Sequence, residues 1–262
     1  MIEQTLEWFG AFVDEHRMAD PVDNARLELK REHCLLVMTE ARDLAREQRL
    51  SPHMVALATI AGLCHDVGRF PQYRRYQTFR DADSANHAIL GTMALARNGG
   101  LRWLDDRDRQ LVREAIVVHN RRAIPKTLAA GGDPTALQLA RIVRDADKID
   151  IVRVMLSHLQ SATEKDDVVC LGLPDIPDRV NAAMIDAIDA GRIGSYAAME
   201  SINDFALLLL SWINDMAFAR TRGLFFERGY VRELFAVLPD QAPIAAFKTR
   251  YFDRFAPCAD RP

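Results

Sequence analysis

The sequence predicts an all-α protein. Apolar residues recur at three- and four-residue spacing along most of the chain, the period of a helix with one buried face. No segment shows the sustained period-two alternation of a half-buried strand. Capping residues and Gly or Pro stops bound these helical stretches. The chain has 262 residues, 49% of them hydrophobic and 27% charged, the balance of a soluble globular protein. That length leaves one large domain or two small ones open. The net charge of -3 gives no overall attraction to nucleic acid or an anionic membrane, so phosphate binding has to come from a local cluster.

Residues 1 to 18 form an amphipathic helix with Leu6, Phe9 and Val13 on one side, broken by Pro21. Asp23 serves as N-cap of a long helix to about Gln48, with Leu27, Leu35, Leu36, Met38 and Leu44 repeating helically and His33 in its middle. Ser51-Pro52 opens the next helix, serine as cap and proline in the first turn. Its apolar run from Leu57 ends in His65-Asp66, and Gly68 stops it by taking a left-handed conformation. Residues 69 to 83 read as irregular and are rich in arginine and aromatics. Ser84 caps a helix to about Arg97, with His87 in the first turn, and Gly99-Gly100 ends it. Residues 106 to 120 form another helix with His119 at its close; 121 to 134 are a loop; a long helix runs from about Pro134 to Gln160. Residues 161 to 180 are a polar connection and the best candidate boundary between a domain at 1-160 and a C-terminal extension at 161-262, which is expected to pack on the same domain. Helices follow over about 176 to 190, 198 to 220, 223 to 237 and 241 to 254. Leu224-Phe-Phe226 with Tyr230, Leu234 and Phe235 reads as core in preference to interface.

The four cysteines, Cys34, Cys64, Cys170 and Cys258, form no C-x-x-C pair, which excludes a thiolate zinc ribbon. Cys34 and Cys64 stand beside histidines in apolar segments and read as small buried residues in a reducing compartment. The acidic N-terminus is unlike a signal peptide, and Phe205 to Leu210 is too short to span a bilayer. The expectation is a cytoplasmic protein.

Four of the seven histidines, His33, His65, His87 and His119, lie in or at the ends of successive helices, ahead of Asp145-Ala-Asp-Lys-Ile-Asp150. Imidazole and carboxylate are good ligands for zinc, iron, manganese and similar divalent ions. Asp147 follows Leu139, Ile142 and Val143 and precedes Ile151 and Val154. A carboxylate so close to buried positions needs a partner or a metal. Asp150, three residues on, is placed to orient a ligand histidine.

The ordered set H…HD…H…H…D resembles the HD-domain superfamily of metal-dependent phosphohydrolases. The resemblance is carried by Arg-Glu-His33-Cys, Leu-Cys-His65-Asp66-Val-Gly-Arg-Phe, Ser-Ala-Asn-His87-Ala-Ile-Leu-Gly, Ile-Val-Val-His119-Asn and Asp-Ala-Asp147-Lys-Ile-Asp, over about residues 25 to 155. It implies a helical bundle in which His33, His65, Asp66 and Asp147, in preference to Asp145, hold one metal. In the dinuclear subgroup His87 and His119 hold a second ion and Asp66 bridges both. The cofactor is one or two divalent ions, with Mn, Fe, Zn, Co, Ni and Mg all open. The resemblance further implies that Lys148 contacts phosphate, while Arg69 stands where many relatives carry lysine. Arg74, Arg75, Arg121 and Arg122 are further candidates for binding substrate phosphate. The expected reaction is hydrolysis of a phosphate ester in a nucleotide or related small metabolite by a metal-bound hydroxide, with Asp66 and Lys148 in catalytic roles. A di-iron oxygenase of the same fold and a non-catalytic ligand-binding module are the alternatives. No nucleic-acid or membrane partner is expected, and the C-terminal helices read as a lid, a homodimer surface, or both.

Overall fold

The computed structural model describes residues 1–161 and 168–257. Cys258 and residues 162–167 of the polar connection lie outside that range. Among the described residues every regular element is helical, so the all-α reading holds. The chain divides into two compact units, Met1–Asp150 and Ile151–Pro262.

In the first unit, α1 (Ile2–Asp14) is shorter than the sequence suggests. Helix α2 (Pro21–Glu47) begins earlier than expected. Asp20, not Asp23, is the cap, its carboxylate accepting from the Val22 backbone N–H at 2.6 Å, and Pro21 sits in the first turn, where its missing N–H has no helical partner to lose. Asp23 accepts instead from the Tyr73 hydroxyl at 2.7 Å. Helix α3 (Pro52–Cys64) is capped by Ser51 and buried at every position from Leu57 to Cys64, as a helix apolar all round must be. It packs most extensively on α2. The two backbones approach closely at Gly62, where a Cβ would lie 2.9 Å from the Ala41 Cβ and from the Val37 carbonyl oxygen.

The chain leaves α3 at His65 and enters α4 (Arg69–Tyr76) almost at once. This helix occupies a stretch that reads as irregular in sequence. Its buried residues, Phe70, Gln72 and Tyr73, are too few to show a period among the arginines. Gly68 also differs from expectation. Its backbone is right-handed, φ -69° and ψ -14°, so no left-handed stop is involved. Glycine is required because a Cβ there would lie 1.9 Å from the His87 carbonyl oxygen and 2.5 Å from the Gly91 nitrogen, both on α5 (His87–Arg97). Asn86, not Ser84, caps α5 by accepting from the Ile89 N–H at 3.1 Å; the Ser84 hydroxyl accepts from the Gln72 amide at 2.9 Å. Helix α6 (Asp106–His119) is capped by Asp105 and ends on the histidine. The segment expected to be a loop over 121 to 134 contains the short α7 (Lys126–Gly131). Helix α8 (Pro134–Leu159) brings a fully buried series, Leu139, Ile142, Val143, Ala146 and Ile149, and the division between the units falls within it.

The second unit contains α9 (Ala182–Asp189), α10 (Ile202–Ser211), α11 (Ala219–Glu227), α12 (Tyr230–Ala236) and α13 (Ala242–Phe255). The helix expected over 198 to 220 is cut back to α10, which Ser201 and Asp204 open as a reciprocal capping box. The one expected over 223 to 237 is two helices, separated at Gly229 with φ +77°, a left-handed turn that glycine takes without strain. Leu224, Phe225, Phe226, Leu234 and Phe235 are buried, in line with the core reading, and Tyr230 is half-buried. Phe235 packs on Tyr251 and Phe252 of α13 at centroid separations of 5.4 and 5.9 Å, and the buried Tyr251 hydroxyl donates to the Leu210 carbonyl at 2.9 Å. No helix among the described residues is long and apolar enough to cross a membrane.

Two substitutions probe this architecture. Gly68→Ala forces α4 and α5 apart and is expected to lower unfolding free energy by about 2 kcal/mol or more, read by urea denaturation. Asp204→Ala removes the acceptor of the Asn181, Glu200 and Ser201 backbone N–H groups and is expected to lower it by about 2–4 kcal/mol, with unchanged metal content.

Candidate metal centre

Four helix positions deliver four imidazoles to one buried point in the first unit. His33 comes from the middle of α2, His65 from the C-terminal cap of α3, His87 from the first residue of α5 and His119 from the last of α6. All four are buried, together with Asp66, which follows His65. At a helix end, adjacent residues escape the 100° separation that a regular helix imposes, so His65 and Asp66 can both turn inward.

Each imidazole has its Nδ1 fixed by an acceptor. His65 Nδ1 lies 2.7 Å from the Gly62 carbonyl and His119 Nδ1 2.6 Å from the Ile116 carbonyl. His33 Nδ1 lies 2.7 Å from Asp150 Oδ2, and His87 Nδ1 2.8 Å from both carboxylate oxygens of Asp81. A carbonyl oxygen only accepts, so His65 and His119 carry a proton on Nδ1, and in its neutral form each ring presents a bare Nε2. Burial pulls the His119 pKa down to about 4, which keeps that ring neutral. Burial also opposes charge on His33, but hydrogen bonds to Asp147 and Asp150 outweigh it and raise its pKa.

The Nε2 atoms meet in two pairs. His33 and His65 face each other at 3.2 Å, His87 and His119 at 3.1 Å. Asp66 lies between the pairs. Its Oδ2 is 3.7 Å from His33 Nε2 and 3.9 Å from His65 Nε2; its Oδ1 is 3.1 Å from His87 Nε2 and 3.6 Å from His119 Nε2. Asp147 Oδ1 joins the first pair, 3.1 Å from His33 Nε2 and 3.3 Å from His65 Nε2. The triads His33–His65–Asp66, His65–His119–Asp147 and Asp66–His87–His119 each hold their donor atoms within 4.8 Å. Asp145, although buried, belongs to none of these triads.

The electrostatics suit cations. Burial disfavours ionised Asp66, yet the charges of Lys30, Arg69, His87 and His65 outweigh that and hold its pKa well below the usual carboxylate range. Asp147 is held down in the same way, against burial, by His65 and His33. Asp66 Oδ1 is buried with no hydrogen-bond partner, while the Nε2 atoms of His87 and His119 lie 3.1 and 3.6 Å from it. Acceptors brought together without a proton to share repel, and a divalent ion between them removes that repulsion. Mixed imidazole and carboxylate donors of this kind accept a divalent metal.

Of the expected phosphate-binding residues, Arg69 reaches the cluster. Its Nε is 3.3 Å from Asp66 Oδ1, while its NH1 donates to Gln72 Oε1 at 3.0 Å and to the Phe79 carbonyl at 2.5 Å. Arg74 donates to the Glu15 carbonyl at 2.6 Å, and Arg75 lies over the Tyr76 ring. Arg121 and Arg122 are exposed. Lys148 is buried, with Nζ 3.4 Å from the Arg144 carbonyl.

Three contacts go beyond the sequence reading. Lys30 Nζ lies 3.0 Å from Asp66 Oδ2. A signal for it existed, since it precedes His33 by one helical turn and so shares its face. The buried Arg144 donates to the carbonyls of Val118, His119, Arg121 and Arg122, fixing the end of α6 that carries His119. Asp81 precedes His87 by six residues in an unstructured-looking stretch, a spacing with no helical meaning, and nothing in the sequence points to it.

An HD domain model matches residues 31–151. No curated protein and no solved structure is significantly similar to the chain. The match covers every histidine and aspartate of the cluster, and the same residues are those that the fold gathers into metal-binding triads. Residues 31–151 of this chain thus match an HD domain, and the triads that could hold a metal lie within them, in support of a metal-dependent hydrolase.

Proposed function

We propose that the chain is a dinuclear metal-dependent phosphohydrolase that cleaves a phosphate ester of a nucleotide or a related small metabolite. The observation that carries this reading is the way Asp66 divides its two oxygens between the His33–His65 and His87–His119 pairs. That division is the arrangement a bridging carboxylate needs. On this reading His33, His65, Asp66 and Asp147 hold one ion, and Asp66, His87 and His119 the other. Divalent ions held there would supply a bound water of lowered pKa and would stabilise the attacking and leaving oxygens of in-line displacement at phosphorus.

The chain's own residues do the rest. Asp150 and the Gly62 and Ile116 carbonyls hold His33, His65 and His119 with their Nε2 lone pairs inward. Lys30 and Arg69 flank Asp66 from its two oxygens and hold it ionised. Lys148 supplies a buried cation next to Asp147 and contacts the substrate phosphate.

The test is metal content on protein purified without a tag, followed by an anaerobic panel of phosphatase and phosphodiesterase substrates with added Mn, Co or Zn. Two equivalents with phosphate-ester cleavage support the reading. Two irons with oxygen uptake and no hydrolysis in any metal overturn it in favour of an oxygenase, and absence of metal after reconstitution in favour of a binding module. Asp66→Ala is expected to reduce bound metal to one equivalent or less and to lower kcat/KM by about a thousandfold, the several kcal/mol of charge stabilisation that a metal provides. Lys148→Met is expected to lower kcat/KM by about 10–100-fold, the value of one charge-assisted hydrogen bond, with metal content unchanged.

A further inference from the structure

The four Nδ1 contacts fall into two kinds, and the difference follows from where each histidine sits. His65 and His119 stand at helix C-termini, where the carbonyl three residues back has lost its helical partner and is open to an imidazole. Neither of the others has that resource. His33 is in the middle of α2, where the preceding carbonyls serve the helix itself. His87 is the first residue of α5, with no helical turn before it. Both therefore need an acceptor from elsewhere in the chain. For His33 it is Asp150 on α8, at 2.7 Å. For His87 it is Asp81, whose two oxygens both lie 2.8 Å from Nδ1.

Asp81 is itself held from three sides. Gln72 donates to Oδ1 from 2.8 Å, Arg69 to Oδ1 from 3.3 Å, and Asn120, the neighbour of His119, to Oδ2 from 3.1 Å. Gln72 is fully buried and is fixed in turn, its Oε1 accepting from Arg69 at 3.0 Å and its Nε2 donating to the Ala85 carbonyl at 2.9 Å. These three side chains and the His87 backbone N–H, 3.4 Å from Oδ1, converge on one carboxylate, which also faces the imidazole.

We propose that Asp81 is the positioning carboxylate of the His87–His119 half of the site: it keeps the proton of His87 on Nδ1 and so turns the Nε2 lone pair towards Asp66 and His119. It touches neither substrate nor metal and acts through His87. The metal-binding part of this inference rests on the dinuclear reading above; the tautomer part does not. Removing such a carboxylate frees the ring to carry its proton on Nε2, where it blocks ligation, and to rotate. Loss of an outer partner of a ligand histidine weakens metal affinity by about 10–100-fold.

The experiment uses the full chain, stripped of metal and then titrated. Long-range proton–nitrogen NMR correlations of the metal-free protein, with His87 assigned by its absence in His87→Gln, report the tautomer. The wild type is expected in the Nδ1–H form, and Asp81→Ala in a mixture of both. Calorimetric titration with Co2+ is expected to show the weaker of two equivalents lost or weakened about 10–100-fold in Asp81→Ala, the other within about twofold of wild type. The nearby exposed Asp83, paired with Arg80, gives a control in Asp83→Ala that leaves both readouts unchanged. If Asp81→Ala fails to fold, Asp81→Asn carries the test, because its amide can also donate to the ring and so favours the wrong tautomer. A folded Asp81 variant that keeps the Nδ1–H tautomer and both affinities overturns the proposal. A wild type that binds a single ion overturns the dinuclear reading instead, and the metal-free tautomer still decides whether Asp81 positions His87.

Discussion

The Asp66 carboxylate is the group on which the first unit depends. It is buried, ionised and shared between two pairs of imidazoles. An isolated carboxylate could not remain charged in such surroundings. Lys30 and Arg69 make the charge tolerable, one at each oxygen, and the fold is arranged to supply them. Lys30 lies one turn from His33 on α2, and Arg69 opens α4 directly after the His65–Asp66 corner. The close approach at Gly68 then brings α5, and with it His87, against the same corner. Ligands from distant parts of the sequence thus share one short piece of backbone as their reference.

Much of this was legible in the sequence, because His65, His87 and His119 lie at or near helix ends, which caps and stops mark approximately, and His33 stands on the apolar repeat of a long helix. The role of Asp150 beside His33 was legible for a related reason, since it lies one turn from Asp147 on the same face. Asp81 was not. Its relation to His87 depends on the path of the chain between α4 and α5, and that path is set by the buried amide of Gln72, a residue whose burial no local pattern reveals. Helix α4 was hidden for the same reason: its apolar inward positions are few, with Phe70, Gln72 and Tyr73 buried and Arg69 turned towards Asp66.

The glycine at 68 separates two kinds of inference. Sequence alone suggests a residue chosen for a left-handed turn, a property of the glycine itself. The structure shows a residue chosen for a neighbour, the α5 backbone that passes within contact of it. The break in the second unit at Gly229 is the opposite case, a positive φ that only the backbone explains. The aromatic cluster there was read correctly as core because its spacing survives the break: Phe225, Phe226, Leu234 and Phe235 remain on buried faces of both short helices.

Arg144 has a further consequence. It gathers the carbonyls of Val118, His119, Arg121 and Arg122 onto one guanidinium, placing a positive charge against the negative end of α6. The carbonyls of Arg121 and Arg122 turn to this guanidinium while their side chains are exposed. The backbone of that segment is thus anchored independently of the side chains it displays. Substitution of Arg121 or Arg122 can then change what these positions present to solvent while His119, two residues before Arg121, keeps its place.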